Sequence, residues 1–467
     1  MDSKQIKICY IGGGSRNWAW VFMQDLAMEK EIYGTIELYD IKHDDAVTNE
    51  IIGNRLMEKY NPGRWKFRAN PSLPDALTGS DFVFISILPG DFEEMAVDVH
   101  APEKFGIYQS VGDTAGAGGL IRALRTIPQF RHIAREVQKY APEAWVVNYT
   151  NPMTICTKTL YKEFPAIKAF GCCHEVFNTQ KLLATVLEEA GLAPAGSIKR
   201  EEINVNVLGI NHFTWLDKAA WKDADIFSYY KKFADKYAGT GYKKINFGHV
   251  NAAANTDAEA AERLKLFGSS DRVKMDLFLR YGLIAAAGDR HLAEFCPSSW
   301  YLKSPELVED WGFALTPVSW RIKDREKLKQ KAKDYREDRE EMIPVESGEE
   351  GIKIIKALSG VGNIVTNVNF PNMGQMPDLP AGAVVETNAV FGRDMIKPVL
   401  NNEMPAELRE LVMHHVLAQE GIVEAVFEDN MEKAFRVFSQ DLAIQHIGLE
   451  NARSLFNEMC AKTMVKS

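Results

Sequence analysis

The sequence predicts an α/β fold in which helices pack on a parallel β-sheet, and two observations lead to this prediction. In the first half of the chain, short runs of β-branched residues alternate with helical stretches. Strands that alternate with helices are typical of βαβ units, whose strands run parallel. A glycine cluster at residues 12–14 also follows the first predicted strand directly, a common position for a ligand-binding turn in such sheets.

The individual elements are predicted from hydrophobic periodicity and from turn residues. Strands are predicted at residues 6–11, 35–39, 82–88, 145–148, 167–171, 205–210 and 214–220, and helices at 20–30, 44–60 and 120–139. Residues 235–262 are rich in Gly, Asn, Ala and Lys and are predicted to form a loop or an insertion. The densely charged residues 323–342 indicate a solvated helix, the alternative being a partner-binding helix. A strand and turn are expected at residues 364–380, and helices at residues 404–461.

The chain is long enough for two closely joined domains, because 467 residues exceed what one ordinary core accommodates. An Ala-Pro-Ala-Gly stretch at residues 193–196 breaks the chain, and the pattern of elements changes soon afterwards. We therefore expect one domain at residues 1–200 and a second, α/β domain at residues 201–467.

Composition argues against several classes of partner. The net charge of −9 lacks the basic footprint of a nucleic-acid-binding protein, although one or two local arginines could still bind a small anion. No apolar run reaches the length of a membrane span, and the N-terminal residues lack the pattern of a signal peptide. The six cysteines are sparse, which suits a reducing compartment. We expect a cytoplasmic protein with neither a nucleic-acid nor a membrane partner.

The glycine cluster predicts a dinucleotide site. Glycine lets the backbone turn tightly and approach a pyrophosphate, which amides at the following helix N-terminus then bind. An aspartate ends the second predicted strand, where its carboxylate can accept hydrogen bonds from a ribose and would repel a 2′-phosphate, so NAD is favoured over NADP. The alternative is a glycine turn followed by an unrelated capping aspartate. The candidate cofactor residues, including a proline beyond the strand at 82–88, are Gly12, Gly13, Gly14, Ser15, Asp40 and Pro89.

Polar residues follow other predicted strands at the edge where such sheets bind ligands. Asn148 and Asn151 end one strand and could hold sugar hydroxyls, the alternative being a turn with asparagine caps. Cys173 and His212 end two further strands and could share a metal ion as thiolate and neutral imidazole. The alternative for this pair is a buried cysteine and a satisfied core histidine.

Two further segments are candidates for ligand contact. The glycine-rich residues 112–119 precede a helix that carries Arg122, and Asp113 lies in this loop, which could approach a ligand closely or form a lid without contact. Asp289, Arg290 and His291 form a cluster of titratable residues suited to acid–base work, the alternative being a surface ion-pair network.

Taken together, these motifs resemble glycoside hydrolase family 4 over essentially the whole chain. The order of the motifs at residues 12–15, 112–119, 148–152, 171–174 and 209–212 is that of the family, and residues 367–372, 379–380 and 385–386 resemble its C-terminal half. The longer sequences at residues 108–114 and 287–295 are most similar to those of the family's α-galacturonidase branch.

The resemblance implies a Rossmann domain like that of lactate and malate dehydrogenases, followed by an α/β domain for substrate and assembly. It implies bound NAD, a divalent metal ion that is usually Mn²⁺, and a homodimer or homotetramer. Cys173 and His212 match the metal ligands. His174 stands where some members carry an acidic proton donor, and Asp289 or His291 replaces a tyrosine base found elsewhere in the family.

The implied reaction is hydrolysis of an α-glycoside through oxidation at carbon 3, metal-assisted elimination, addition of water and re-reduction. Most other glycosidases instead use a pair of carboxylates, in a retaining or an inverting mechanism. A uronic acid adds a carboxylate, for which Arg290 is the first candidate partner and Arg122 the second. An α-glucuronidase, α-galactosidase or α-glucosidase of the same family is an alternative. So are a malate- or lactate-type dehydrogenase, which would accumulate NADH, and a catalytically silent NAD sensor.

Overall fold

The computed structural model describes residues 5–242 and 265–464. The strands, β1 to β13 in chain order, are Ile6–Ile11, Gly34–Tyr39, Trp65–Ala69, Phe82–Ile85, Trp145–Asn148, Lys168–Gly171, Asn204–Ile210, Phe213–Trp221, Ala224–Asp225, Ile284–Ala285, Ile364–Pro371, Val384–Gly392 and Met395–Pro398. The helices of the first part, α1 to α8, are Trp18–Met28, His43–Tyr60, Leu73–Leu77, Phe92–His100, Gly116–Tyr140, Met153–Glu163, Glu175–Glu189 and Ile226–Tyr237. The helices described further along, α9 to α17, are Arg272–Tyr281, Asp289–Glu294, Ser298–Tyr301, Pro305–Asp310, Val318–Arg336, Gly351–Leu358, Ala406–Phe427, Met431–Ser439 and Leu449–Thr463.

A nine-stranded sheet forms the centre of the fold, in the order β13-β12-β11-β6-β5-β4-β1-β2-β3. The six strands of the first part pair in parallel, as their alternation with helices predicted. Except at the edge strand β3, most of their side chains are buried because helices cover both faces, and a parallel sheet is stable in that environment. Helices α1, α2 and α14 cover one face, while α3, α5 and α6 cover the other.

The C-terminal part of the chain completes this sheet. Strand β11 joins β6 antiparallel through the pair Asn369 and Gly171, and β12 and β13 extend the edge, also antiparallel. A second, antiparallel sheet holds β7, β8, β9 and β10. The side-chain carbonyl of Asn388 on β12 accepts a hydrogen bond of 2.6 Å from Val207 N on β7, which ties the two sheets together.

Most predicted elements are present, with ends displaced by a few residues. The strand at Trp65–Ala69 was not predicted, and the charged helix begins earlier, at Val318, with mostly exposed or half-buried side chains. Of the predicted loop or insertion at residues 235–262, helix α8 covers the beginning, and residues 243–262 lie outside the described residues. The division into domains at residue 200 stays a prediction, and the two parts share the nine-stranded sheet across it.

The sheet brings the predicted site residues to one edge. Because β1, β2, β4, β5 and β6 are parallel, the turns that follow them lie at the same carboxyl edge of the sheet. The glycine cluster, Asp40, Pro89, Asn151 and Cys173 all follow these strands. None of the helices in the described residues is both long enough and apolar enough to span a bilayer.

Candidate active site

The glycine turn after β1 leaves no room for side chains. Gly12 has φ +92°, and a Cβ atom there would meet the carbonyl oxygen of Ser86 at 2.0 Å. The amide of Gly14 donates to the carboxylate of Asp40 at 2.9 Å, so the acid after β2 is fixed against the turn after β1. The turn, the acid and the following helix therefore have the arrangement that binds a dinucleotide.

One residue that supports this turn was not predicted. Asn49, buried on α2, donates through its side-chain amide to the carbonyls of Gly13 and Ser15, at 2.8 and 2.9 Å. Pro89 belongs to the turn after β4, and its carbonyl accepts a hydrogen bond of 2.9 Å from Arg125 Nε. Side chains from neighbouring helices thus help to hold both turns.

Three predicted site residues converge on one point. The ligand-type atoms of Asp113, His212 and His291 all lie within 4.8 Å of one another. Asp113 lies in the loop before α5, His212 lies in the turn between β7 and β8, and His291 lies on α10. The two imidazole rings have centroids 3.7 Å apart. We call these three residues the donor cluster.

The protonation states of the donor cluster suit a metal ion. Burial lowers the pKa of His212 to about 3, and the neighbouring imidazole adds to the effect. Burial likewise lowers the pKa of His291. Burial alone would raise the pKa of Asp113, but its interactions with His291, His212, Arg122 and the hydroxyl of Thr114 together outweigh burial and hold that pKa well below its usual range. At neutral pH all three groups therefore present free lone pairs, which metal binding requires.

The donor cluster also contains an unsatisfied polar atom. Nδ1 of His291 is shielded from solvent and has no hydrogen-bond partner among the described residues, whereas Nδ1 of His212 lies 2.9 Å from Thr114 Oγ1. A buried polar atom without a partner is costly unless a ligand satisfies it. A carboxylate and two neutral imidazoles are also common ligands for first-row divalent ions. The residues present therefore fit a divalent metal ion.

Cys173 lies beside the donor cluster but is not part of it. Its thiol contacts the side chain of Asn211, the residue before His212, and its carbonyl accepts a hydrogen bond of 3.0 Å from Asn367 Nδ2. Burial, followed by the nearby Glu386, raises the pKa of this thiol well above its usual range. A thiolate at this position would therefore need a cation beside it.

His174 lies between two carboxylates at the start of α7. Its Nδ1 is 3.4 Å from Glu349 Oε1, and its Nε2 is 3.8 Å from Glu175 Oε1. Glu175 also accepts a hydrogen bond of 2.8 Å from Gly288 N, so it links the end of β6 to the segment that carries His291. The ring of His174 lies 5.8 Å from that of Trp18, which begins α1 just after the glycine turn. His174 therefore lies between the dinucleotide turn and the donor cluster.

The structure separates the two predicted bases. Asp289 is fully buried and faces α9, where its Oδ1 accepts a hydrogen bond of 3.0 Å from Lys274 N. Burial, and then the nearby Asp271, raises its pKa to about 6. His291, two residues later on α10, instead faces His212. Only the histidine of this pair lies in the donor cluster.

The asparagines after β5 have different surroundings. Asn148 is fully buried, and its side chain bonds both the amide and the carbonyl of Thr150, at 2.9 and 3.1 Å. It therefore holds the turn, as in the capping alternative. Asn151 instead donates to Asp113 Oδ2 at 3.2 Å, and its own side-chain oxygen is buried without a partner in the described part of the chain.

A buried glutamate that was not predicted holds the loop of Asp113. Oε1 of Glu294, at the end of α10, accepts hydrogen bonds from Val111 N at 2.7 Å and Gly112 N at 2.8 Å. Burial raises the pKa of Glu294 to about 8. Glu294 lies in the segment 287–295 that supports the family resemblance, but its partners lie more than 180 residues earlier, which no local pattern indicates.

The predicted arginines are held to different degrees. Arg290 donates from Nε to Ala314 O at 3.1 Å and from an Nη atom to Ser110 O at 2.5 Å and to the hydroxyl of Thr316. Arg122 is buried and donates only from Nε, to Asn151 O at 3.2 Å, among the residues described. Arg122 thus keeps free donors beside Asp113, while Arg290 mainly supports the protein's own backbone.

Comparison with known families and proteins agrees with this geometry. Residues 7–189 match the family 4 glycosyl hydrolases, and residues 207–444 match the C-terminal domain of the same family. The α-galacturonidase of Thermoanaerobacterium saccharolyticum is 52% identical over 459 residues, which cover 98% of this chain and 96% of that protein. The α-galacturonidase of Bacillus subtilis is 47% identical over 456 residues, which cover 97% of each protein.

Solved structures show the same fold. The crystal structure of a candidate glucosidase from Bacillus subtilis is 46% identical, with a TM-score of 0.89 over 97% of this chain and 99% of that one. A 6-phospho-α-glucosidase from gut microorganisms, solved in complex with NAD and Mn²⁺, has a TM-score of 0.78 at 19% identity over 98% of each chain. The two family matches together span most of the sequence, and the α/β fold is the one predicted. This chain belongs to family 4 of the glycosyl hydrolases and is a glycosidase.

Proposed function

We propose that this chain is an α-galacturonidase that requires NAD and a divalent metal ion, preferably Mn²⁺. The observation that carries the proposal is the extent of the similarity. Four α-galacturonidases are 47–52% identical to it over 97–98% of its length. α-Galactosidases and an α-glucosidase of the same family reach only 24–26%.

The cofactors are supported by the residues and by related structures. The glycine turn and Asp40 suit NAD, and the donor cluster suits a divalent ion, as described above. Family members solved with NAD and Mn²⁺ share the fold of this chain. We propose that Asp113, His212 and His291 hold the metal ion, with Cys173 as a further ligand. This places His291 among the ligands, whereas the sequence suggested it as a base.

The two cofactors and the asparagines after β5 would have separate roles in the reaction. When bound, NAD would supply reversible hydride abstraction at carbon 3, and the metal ion would supply positive charge for the oxygens that become electron-rich. Asn151, whose side-chain oxygen lacks a partner among the described residues, would accept a hydrogen bond from a sugar hydroxyl. Asn148 would hold the turn that positions Asn151.

We propose that His174 donates the proton that the glycosidic oxygen takes up as it leaves. Its Nδ1 lies 3.4 Å from Glu349 Oε1 and its Nε2 lies 3.8 Å from Glu175 Oε1, so the ring lies between two carboxylates. An imidazole held in this way can donate a proton at Nε2 to a departing oxygen. The carboxyl group of Asp289 faces α9 instead, so we assign it a structural role rather than that of the base.

The proposal also covers the compartment, the oligomeric state and the partners of the enzyme. We propose a cytoplasmic enzyme that acts on small α-galacturonides and assembles as a homodimer or homotetramer, without nucleic-acid or membrane partners. The net charge of −9 and the sparse cysteines support this proposal.

A substrate panel tests the proposal. Nitrophenyl α-glycosides of galacturonic acid, glucuronic acid, galactose and glucose would be assayed with NAD, Mn²⁺ and a thiol reductant. We expect cleavage of the galacturonide alone at a substantial rate, dependent on both cofactors and without accumulation of NADH. Preference for another sugar would contradict the substrate, and NADH formed in proportion to turnover would indicate a dehydrogenase.

A further inference from the structure

Four arginines surround the loop that carries Asp113, and their hydrogen bonds divide them into two kinds. Arg122 and Arg125 lie on α5, Arg290 lies on α10, and Arg321 lies in the first turn of α13. An arginine whose donors are all used by the protein supports the fold. One with free donors in a substrate cleft is available to bind an anion.

Two of these arginines are held by several hydrogen bonds to the protein. Arg125 forms a double ion pair with the buried Asp98, at 2.9 and 2.5 Å, and also bonds the carbonyl of Pro89. Arg290 bonds the carbonyls of Ala314 and Ser110. These contacts hold the loop and the helix ends around the site, so neither side chain can turn toward a substrate without breaking them.

The other two keep free donors. Nε of Arg321 is shielded from solvent and has no hydrogen-bond partner within the described residues. Arg122 uses only its Nε, toward Asn151 O at 3.2 Å. Arg321 as a whole is half-buried, but a donor atom shielded from water without a partner is costly in the free protein, and a bound carboxylate would relieve that cost.

The position of Arg321 is fixed by its surroundings. The hydroxyl of Thr316, just before α13, donates to the carbonyl of Ser110, which anchors the helix start against the loop of Asp113. Two guanidinium groups lie near the ring of Phe267: that of Arg290 is 5.0 Å from the ring centroid, and that of Arg321 is 5.6 Å from it. Burial lowers the pKa of Arg321, and the charges of Asp113 and Arg122 both act on this guanidinium.

From this geometry we infer that Arg321, with Arg122, forms a carboxylate-binding subsite that selects a uronic acid over the neutral sugar. The subsite lies beside Asp113, where the donor cluster would hold the metal ion and the sugar hydroxyls. Two guanidinium groups can each donate to the carboxylate on carbon 5. This inference rests on the proposed galacturonide hydrolysis and moves the recognition of the carboxylate from Arg290 to Arg321.

The test compares Arg321→Ala and Arg321→Lys with Arg325→Ala as the matched control. Arg325 lies one turn further along α13 and pairs with Asp91 at 2.5 Å, outside the subsite. We expect Arg321→Ala to raise KM for nitrophenyl α-galacturonide and the inhibition constant of galacturonic acid by roughly 10- to 100-fold, as for loss of a hydrogen bond to a charged group. The inhibition constant of galactose should stay within about twofold, and Arg321→Lys should retain part of the discrimination.

The readouts separate this role from a structural one. If Arg321 only balanced the charge of Asp113, Arg321→Ala would change Mn²⁺ affinity and would weaken galacturonic acid and galactose equally, which would overturn the inference. Unchanged KM and inhibition constants would also overturn it. The wild-type enzyme is assayed alongside: failure to cleave the galacturonide would refute the proposed function, while the dissociation constants of galacturonic acid and galactose, measured by calorimetry on wild type and Arg321→Ala, would still decide the role of Arg321.

Discussion

The histidines of the donor cluster owe their chemistry to burial. A solvated imidazole is partly protonated near neutral pH, but the protein interior disfavours the charged form. Two rings with centroids 3.7 Å apart disfavour it further, since both could not carry a charge at that distance. Asp113 stays ionised beside them, because Arg122 and the hydroxyl of Thr114 also lower its pKa. The cluster is thus ready for a cation.

Removal of His212 should therefore impair metal binding directly. We expect His212→Ala to weaken Mn²⁺ binding at least roughly 10- to 100-fold, a loss known even for residues that only support metal ligands. Titration of the NAD-loaded protein with Mn²⁺, followed by electron paramagnetic resonance, measures the affinity. His132→Ala, at an exposed position on α5, is the control. If His212→Ala bound Mn²⁺ as tightly as the wild type, the donor cluster would not be the metal site.

Asp40 allows a separate test of the dinucleotide. Its carboxylate bonds Gly14 N and Lys42 N, so the same oxygens that fix the turn are placed to meet the ribose. We expect Asp40→Ala to weaken NAD about 10-fold, the worth of one or two hydrogen bonds to a charged group, and to reduce the preference over NADP. Fluorescence titration with both dinucleotides measures this, with the exposed Asp44→Ala as control. An unchanged preference would show that Asp40 does not contact the ribose.

The residues of the site could be predicted from sequence only in part. Asp113, His212 and His291 lie in recognisable motifs, and these motifs indicated polar or titratable side chains near a ligand. Their mutual contact could not be predicted, because it joins three segments that are far apart in the chain. Arg321 was missed because it precedes the charged segment predicted at residues 323–342 and lies in the first turn of a helix that begins earlier, at Val318.

At the scale of elements, the turn after β1 depends on its first glycine. Gly12 has φ +92°, and a Cβ atom would approach the carbonyl of Ser86 to 2.0 Å, so Gly12→Ala must displace β1 or β4. We expect loss of NAD binding and a drop in the free energy of unfolding of more than about 2 kcal/mol. Gly63→Ala is the matched control, because Gly63 has φ +74° and nothing within 4 Å of its Cβ position. Gly63→Ala should lower the free energy of unfolding by roughly 1–2 kcal/mol and leave NAD binding intact.

Thermal unfolding and NAD titration of both variants measure these effects. Equal losses of stability in the two variants, with NAD binding retained in Gly12→Ala, would contradict the account of the turn.

The link between α10 and the loop of Asp113 should depend on pH. Burial raises the pKa of Glu294 from 4.5 to about 8, so between these values the folded protein holds a proton that the unfolded chain has released. The stability contributed by this group is complete below the unfolded value and declines as pH rises through the folded value. Glu294→Gln keeps the acceptor for Val111 N and Gly112 N but cannot ionise.

We therefore expect the free energy of unfolding to fall more between pH 6 and pH 8 in the wild type than in Glu294→Gln, by up to about 2 kcal/mol. Urea unfolding at both pH values measures the difference, and the exposed Glu432→Gln is the control. The same pH dependence in wild type and Glu294→Gln would show that this carboxyl group ionises normally in the folded protein.

The parallel part of the sheet could be predicted because its strands alternate locally with helices. Strand β3 was missed because its sequence, Trp-Lys-Phe-Arg-Ala, is short and carries two charges at exposed positions. The attachment of β11 to β6 could not be predicted, since the paired residues Asn369 and Gly171 are nearly 200 positions apart. Long-range antiparallel pairing leaves no periodic signal in a single sequence.

For the molecule as a whole, this pairing has a functional consequence. It holds the C-terminal segment with Asn367 and Glu386 against Cys173, at the same edge of the sheet as the glycine turn. The dinucleotide turn and the donor cluster are connected through Trp18, His174 and Glu175. The central claim is that the two act on one sugar ring, so that hydrolysis proceeds through a temporary ketone and loss of the proton on carbon 2.

Hydrolysis in heavy water tests this claim most directly. Nitrophenyl α-galacturonide would be cleaved by the enzyme with NAD and Mn²⁺ in D₂O, and the galacturonic acid formed would be analysed by nuclear magnetic resonance. The account predicts deuterium at carbon 2 of the product, because the proton removed there is replaced from solvent. A product that keeps its original hydrogen at carbon 2 throughout would contradict it and would indicate direct displacement at carbon 1.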